Sequence, residues 1–260
     1  MLWNQLRSGS LFLLAVLAVS LVCTSGQAEE PELAPPVYEF KDRHDPNGIG
    51  KFYLGREIAH VMGHQGIGWL ERNSREEEER LSVLVKLLGL KPGMVVADIG
   101  AGSGVIATLM APKLKPDGEV LAVDIQQEML DALAVKCKLM EIDNVVPVLG
   151  TTKSPRLEPG TVDLVIMVDV YHEFDFPYEM LREISNSLKV GGRVAFVEYR
   201  KEDPRVPIKE VHKMLQEQVK LEASQPGLNL EWVETKDELP RQHVVIFKRV
   251  AAGESNLDEK

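Results

Sequence analysis

Apolar positions in the middle of this chain come in short runs, most of them closed by an acid or a glycine. Val95-Val-Ala97, Val120-Leu-Ala-Val123, Asn144-Val-Val-Pro-Val-Leu-Gly150 and Val162-Asp-Leu-Val-Ile-Met-Val168 are nearly continuous rather than alternating. That pattern predicts strands covered on both faces, as in a parallel sheet. Between them, residues 105–114 and 128–140 repeat apolar side chains at helical spacing, and strand–helix alternation predicts an α/β fold. Upstream, Leu81, Leu84, Val85 and Leu88 mark the apolar face of a helix over 75–88. Its acidic start, Glu76–Glu79, is expected to be solvated and favourable against the helix dipole. Downstream, 208–223 reads as helix, and 229–234 and 243–250 read as two strands separated by the polar stretch 235–242.

The junction after the first of these strands carries the chemistry. Val95-Val-Ala-Asp-Ile-Gly-Ala-Gly-Ser-Gly104 ends a strand in an acid and opens a helix through three glycines. Gly100, Gly102 and Gly104 let the backbone turn tightly and approach a ligand closely. A strand, glycine loop and helix in that order form a nucleotide-binding corner. The dinucleotide fingerprint G-x-G-x-x-G is not met, because Val105 stands where its third glycine belongs. Asp98, just before the loop, opposes a pyrophosphate and suits a ligand with a cationic end. Asp124 ends the second strand about 20 residues past the loop, the place of an acid that accepts ribose hydroxyls.

The D-x-G-x-G-x-G pattern of Asp98–Gly104 resembles motif I of the class I S-adenosylmethionine-dependent methyltransferases. Four later segments agree in order: Val120–Asp124, Asn144–Gly150, Val162–Asp169 leading into Val170-Tyr-His-Glu-Phe174, and Leu188-Lys-Val-Gly-Gly-Arg-Val-Ala-Phe-Val-Glu198. In the last, Val190 stands where the family more usually has proline. The resemblance covers residues 76–250. It implies a Rossmann-like sheet of seven strands, the last one antiparallel, flanked by helices and preceded by an N-terminal helical extension. It also implies S-adenosyl-L-methionine as cofactor. Asp98, Gly100, Ala101, Gly102 and Gly104 would then hold the methionine part, and Asp124, with Ile125 beside it, the ribose. Thr151 or Thr152 stands where many members carry an acid for the adenine amino group, and Asp169 would lie close to the cofactor.

Methyl transfer from a sulfonium is an in-line displacement, so alignment and exclusion of water do most of the work. A base is required only where the acceptor must lose a proton. Tyr171, His172 and Glu173 follow the fourth strand at the ligand-binding edge of such sheets. His172 is the leading candidate base because its unperturbed pKa lies near neutrality; Glu173 and Glu198 follow.

Residues 38–75 stand outside the sheet and are expected to form a lid over the cleft. Tyr53, His60, His64 and Trp69 are its candidates for a substrate or sulfonium pocket, since aromatic faces attract cations. A spacing of four would put His60 and His64 on one helical face, with His44 or Asp45 as a third metal donor. Gly63 interrupts that helix and no H-E-x-x-H pattern is present, so no metal ligands are assigned.

Arg7, an apolar run over 11–22 and small residues up to Ala28 describe a secretory signal peptide, cut after Ala28. Twelve residues are short for a membrane helix, which needs about 20. The chain is thus expected to be exported to a periplasmic or extracellular space without stable membrane insertion, the alternative being an uncleaved anchor. An exported enzyme must obtain its cofactor outside the compartment that makes it. The resulting order is a leader over 1–28, linker and lid over 29–75, a methyltransferase domain over 76–250 and a tail over 251–260. Cys137 alone forms no internal disulfide once Cys23 leaves with the leader, and it reads as buried filler. A net charge of −10 argues against nucleic acid as a partner. The acceptor is expected to be a small or lipid-like molecule. Alternatives are a non-catalytic adenosyl-ligand binding protein of the same fold or an NAD-dependent oxidoreductase.

Overall fold

The computed structural model describes residues 36–252. The expected signal peptide over 1–28, Cys23, the linker up to residue 35 and the tail from residue 253 lie outside the described residues. Among those described, no helix is long and apolar enough to cross a membrane.

The expected helical extension opens instead as a small antiparallel sheet of β1 (Tyr38–Phe40), β2 (Gly48–Tyr53) and β3 (Arg56–Ala59). The alternation in Lys51-Phe-Tyr53 and Arg56-Glu-Ile-Ala59, around a turn with Gly55 at φ +86°, is a hairpin signal. Helical structure begins only with a 3-10 turn at His64–Gly66, followed by α1 (Ile67–Leu70) and α2 (Arg75–Glu79). The single helix expected over 75–88 is two, because Arg80 adopts φ +54° between α2 and α3 (Leu81–Leu87).

The main sheet consists of β4 (Val95–Ile99), β5 (Glu119–Asp124), β6 (Val145–Leu149), β7 (Val162–Val168), β8 (Leu188–Tyr199), β9 (Leu230–Lys236) and β10 (Gln242–Arg249). Their order is β6-β5-β4-β7-β8-β10-β9. The first five are parallel, and β10, last in the chain, runs antiparallel to both neighbours. This is the seven-stranded sheet, with its last strand antiparallel, that the resemblance implies.

Period-two alternation explains why those runs are continuous. Ala97, Ile99, Val165, Met167 and Phe196 face one layer containing α6 (Pro177–Ser187) and α7 (Gln216–Ala223). Val96, Ala122, Ile166, Ala195 and Val197 face the other, built from α3, α4 (Val105–Leu114) and α5 (Gln127–Leu139). Both faces are therefore buried, except on β6: the run over 144–150, expected to be covered on both faces, forms the sheet's edge strand, and its Val146 and Leu149 are exposed. Cys137 is buried on α5. The helix expected over 208–223 is shorter: a 3-10 turn at Glu210–His212 precedes α7.

Candidate functional site

The carboxyl ends of β4, β5 and β7 open into one cleft, where the order of strands reverses between β4 and β7, as ligand sites in open α/β sheets do. Its floor and walls include Gly100 and Gly102 after β4, Asp124, Ile125 and Gln126 after β5, Thr151 and Thr152 after β6, and Val168, Asp169 and Val170 at the end of β7. The N-terminal segment contributes Val61, Met62, Trp69, Leu70 and Arg75. About 930 Å³ between these walls is free of protein atoms, part of it open to solvent.

The glycine loop is fixed by its neighbours. The Gly100 and Ala101 amides donate to the Val123 carbonyl at 2.8 and 3.0 Å, and the Gly102 amide donates to Asp124 Oδ2 at 2.9 Å. Gly100 lies at φ +72°, and a Cβ there would meet Val170 Cγ2 at 2.4 Å. Only glycine lets β4 turn that close to the end of β7. Asp124 Oδ1 accepts the Gln126 amide at 2.9 Å, and burial raises the Asp124 pKa against these amide bonds.

Two further carboxylates are buried with an oxygen lacking any hydrogen-bond partner: Asp98 Oδ2 and Asp169 Oδ1. Such groups are rare and call for an explanation, an absent ligand among them. Burial pushes Asp98 up to about 7, against the opposing pull of Arg75. Asp169 is held well above the carboxylate range, first by burial and then by the charges of Glu79 and Glu198. Gln242 Nε2 donates to its Oδ2 at 3.0 Å, and its backbone sits at φ +52°. Asp169 lines the cleft; Asp98, expected with the glycines to hold the ligand, does not.

The N-terminal segment over the cleft is anchored at both ends of residues 62–75. Gln126 Nε2 donates to the Met62 carbonyl at 2.8 Å, and its Oε1 accepts the His64 amide at 2.9 Å. At the other end Arg75 Nε donates to Glu79 Oε2 at 2.7 Å and one terminal nitrogen donates to the Leu70 carbonyl at 3.0 Å. Glu79, expected to be solvated, is instead fully buried, bonded to Arg72, Arg75 and the Tyr199 hydroxyl. Trp69 stacks under Arg72, 3.9 Å from guanidinium to ring.

Of the residues predicted from sequence, Gly100, Gly102, Asp124, Ile125, Thr151, Asp169, Glu173 and Trp69 line this cleft. Ala101 and Gly104 belong to the loop but do not line the cleft. Tyr53 is buried against Tyr38, and Tyr171 is buried with its hydroxyl donating to Glu222 Oε2 at 2.8 Å. Neither reaches the cleft. His60 and His64 share no helix: His60 follows β3 and is exposed, and His64 opens the 3-10 turn. His44 is turned to Glu57, 3.2 Å away.

His172 is buried in a 3-10 turn over Tyr171–Glu173, with both ring nitrogens engaged. Its Nδ1 is 2.6 Å from Glu198 Oε2, and its Nε2 is 3.1 Å from Nδ1 of His212. Burial lowers both imidazoles to about 4, keeping them neutral, and raises Glu173 to about 7 and Glu198 to about 8. The expected base thus stands one step behind the cleft, while Glu173 reaches it and accepts the Met62 amide through Oε2 at 3.2 Å. His212, Gln126 and Arg75 were not predicted. Each meets the site through the fold alone, His212 from a segment 40 residues from His172.

A family model described as a methyltransferase domain matches residues 90–243, which is more than half of the chain and spans every strand of the site. The chain belongs to this methyltransferase-domain family. The domain resembles, in sheet and helix arrangement, a SAM-dependent methyltransferase from Aquifex aeolicus, with TM-score 0.68 over 73% of this chain and 100% of that one, at 23% identity. Among curated relatives, it is 32% identical over 117 residues to a protein-L-isoaspartate O-methyltransferase of Methanopyrus kandleri, covering 44% of this chain and 48% of that one. It is 34% identical over 103 residues to a release factor glutamine methyltransferase of Streptococcus pneumoniae, covering 40% of this chain and 35% of that one. An uncharacterised transposon protein of Streptomyces fradiae matches at 28% over 195 residues, 69% of this chain and 55% of its own length. The methyltransferase-domain chain therefore spans only about a third to a little over half of these relatives.

Proposed function

We propose that this chain is an S-adenosyl-L-methionine-dependent methyltransferase acting on a small or lipid-like acceptor admitted under the lid. The observation that carries this reading is the pairing, in one cleft, of a glycine-loop floor with two differently prepared carboxylates. Asp124 ends β5 beside the loop with both oxygens held by backbone amides. Asp169 presents a buried oxygen with no partner. The donor set fits the cofactor: a diol on the Asp124 side and a cationic amino acid end near Asp169, with the buried Asp98, outside the cleft lining, acting through its charge alone. Bound there, the cofactor supplies an electrophilic methyl group on a sulfonium with a good leaving group.

The chain's own residues bind, align and exclude water. Burial of Asp169 and Asp98 disfavours their charge, so a cationic ligand stabilises the ionised form and is held in turn. The apolar side of the cleft, from Met62, Trp69, Leu70, Phe174 and Met180, suits an acceptor with apolar surface. That lining supports the acceptor class; the identities of the relatives do not specify it.

Titration calorimetry of the full chain with S-adenosylmethionine, S-adenosylhomocysteine and NAD tests the reading. Binding of the two adenosyl amino acid ligands and not of NAD is expected. Binding of NAD alone overturns it, and adenosyl binding with no turnover across an acceptor screen replaces the enzyme with a ligand-binding protein.

A further inference from the structure

Three side chains that cofactor binding does not use converge beside the cleft. His172 and Glu173 come from the turn after β7, and His212 from the 3-10 turn that precedes α7. His172 Nε2 and His212 Nδ1 are 3.1 Å apart; Glu173 Oε1 lies 4.0 Å from the first and 3.7 Å from the second. Among the described residues this is the one cluster of three or more His, Cys, Asp or Glu donors close enough to share an ion. Donors that each stand about 2.0–2.2 Å from a common zinc ion are separated from one another by roughly 3–4 Å.

The surroundings are those of a prepared site. His172 is oriented from behind by Glu198, whose Oε2 is 2.6 Å from Nδ1. A carboxylate on the far nitrogen is how metal-bound imidazoles are usually fixed. Glu173 is held by the Met62 amide through its other oxygen, Oε2, which leaves Oε1 turned to the two rings. A simple imidazole–imidazole hydrogen bond accounts for the 3.1 Å contact but not for the carboxylate oxygen facing both rings. His212 retains 21% side-chain exposure, which gives an ion a way in.

We propose that His172 Nε2, His212 Nδ1 and Glu173 Oε1 bind a divalent transition-metal cation of the zinc class. Two neutral imidazoles and one carboxylate form a three-donor set of the kind that leaves a further coordination position for water or substrate. Because Glu173 also lines the cleft, an ion on it is placed to orient an oxygen of the acceptor. That use rests on the methyltransferase reading; metal binding itself does not.

The full chain, stripped with a chelator, is titrated with Co²⁺ by visible absorption and with Zn²⁺ by calorimetry. One equivalent of each is expected, Zn²⁺ displacing the Co²⁺ absorption. His212→Ala and Glu173→Gln should abolish stoichiometric binding. Glu198→Gln should weaken it about 10–100-fold, the usual cost of losing such a support, and His64→Ala should leave it unchanged. S-adenosylmethionine affinity measured on the same samples reports whether each variant is folded. Cofactor binding without stoichiometric metal overturns the metal site alone, as does metal binding that survives both His212→Ala and Glu173→Gln. Metal binding with no adenosyl ligand binding overturns the methyltransferase reading alone.

Discussion

Asp124 accepts the Gly102 amide at 2.9 Å, so the carboxylate that ends β5 is fastened to the glycine loop that ends β4. One side chain thereby shapes the loop and lines the cleft. Asp124→Ala should weaken S-adenosylmethionine binding about tenfold or more, since hydrogen bonds to a charged acceptor contribute about 1.5–3 kcal/mol each. Calorimetry on the variant checks this, and unchanged affinity would remove Asp124 from the cofactor site.

Gly104 tests the packing behind the loop. It sits at φ +79°, and a Cβ there would lie 1.9 Å from Leu133 Cδ1 on α5. Gly55, at φ +86°, has nothing within 4 Å. Alanine at Gly55 should cost only the left-handed conformation, about 1–2 kcal/mol. Gly104→Ala adds overpacking of about 1–3 kcal/mol, so urea denaturation should rank it clearly below Gly55→Ala. Equal losses would show that α5 yields without strain.

The two glycines also mark what was legible in the chain. The strands of the main sheet, the loop and Asp124 were readable because burial on both faces and the need for positive φ leave local signatures in residue type. Arg80 shows where that fails: nothing in its neighbourhood announces the φ of +54° that splits a periodic helix in two. Glu79 reads as one more acid in a solvated run, yet tertiary packing brings Arg72, Arg75 and Tyr199 to it. His212 carries no local motif, and its place beside His172 depends on how the segment after β8 folds back. The small β1–β3 sheet leaves only a short alternation around Gly55, which the helical spacing of His60 and His64 obscures.

Gln126 fastens the lid with both ends of its amide, to the Met62 carbonyl and the His64 amide. Gln126→Ala removes both bonds and leaves two lid backbone groups without their partner. The lid should open more often, raising proteolytic cleavage within residues 60–66 and weakening cofactor binding several-fold, while global stability falls by no more than about 1–3 kcal/mol. Limited proteolysis with and without S-adenosylhomocysteine measures this. Unaltered cleavage would mean that the other bonds, Met62 to Glu173 and Arg75 to Glu79 among them, hold the lid without Gln126.

Asp98 should give the site its pH dependence. Burial, opposed by Arg75 and assisted by Asp124, raises its pKa to about 7 from an ordinary value of 3.8. Between those values the folded chain holds a proton that the unfolded chain has released, so this group's contribution to stability falls as pH rises from about 4 to 7. Asp98→Asn removes that slope, and without ligand the variant should be more stable than the parent above pH 7, by on the order of 2–4 kcal/mol. Cofactor affinity should move the other way. A cationic ligand favours the ionised carboxylate, so parent affinity should decline as pH drops below about 7, and Asp98→Asn should bind more weakly with a flatter profile. Thermal unfolding and calorimetry across pH 5–8 read the two trends together. A variant less stable than the parent at pH 8, with an unchanged affinity profile, would make Asp98 a structural acid rather than a buried charge that supports the cofactor's cationic end.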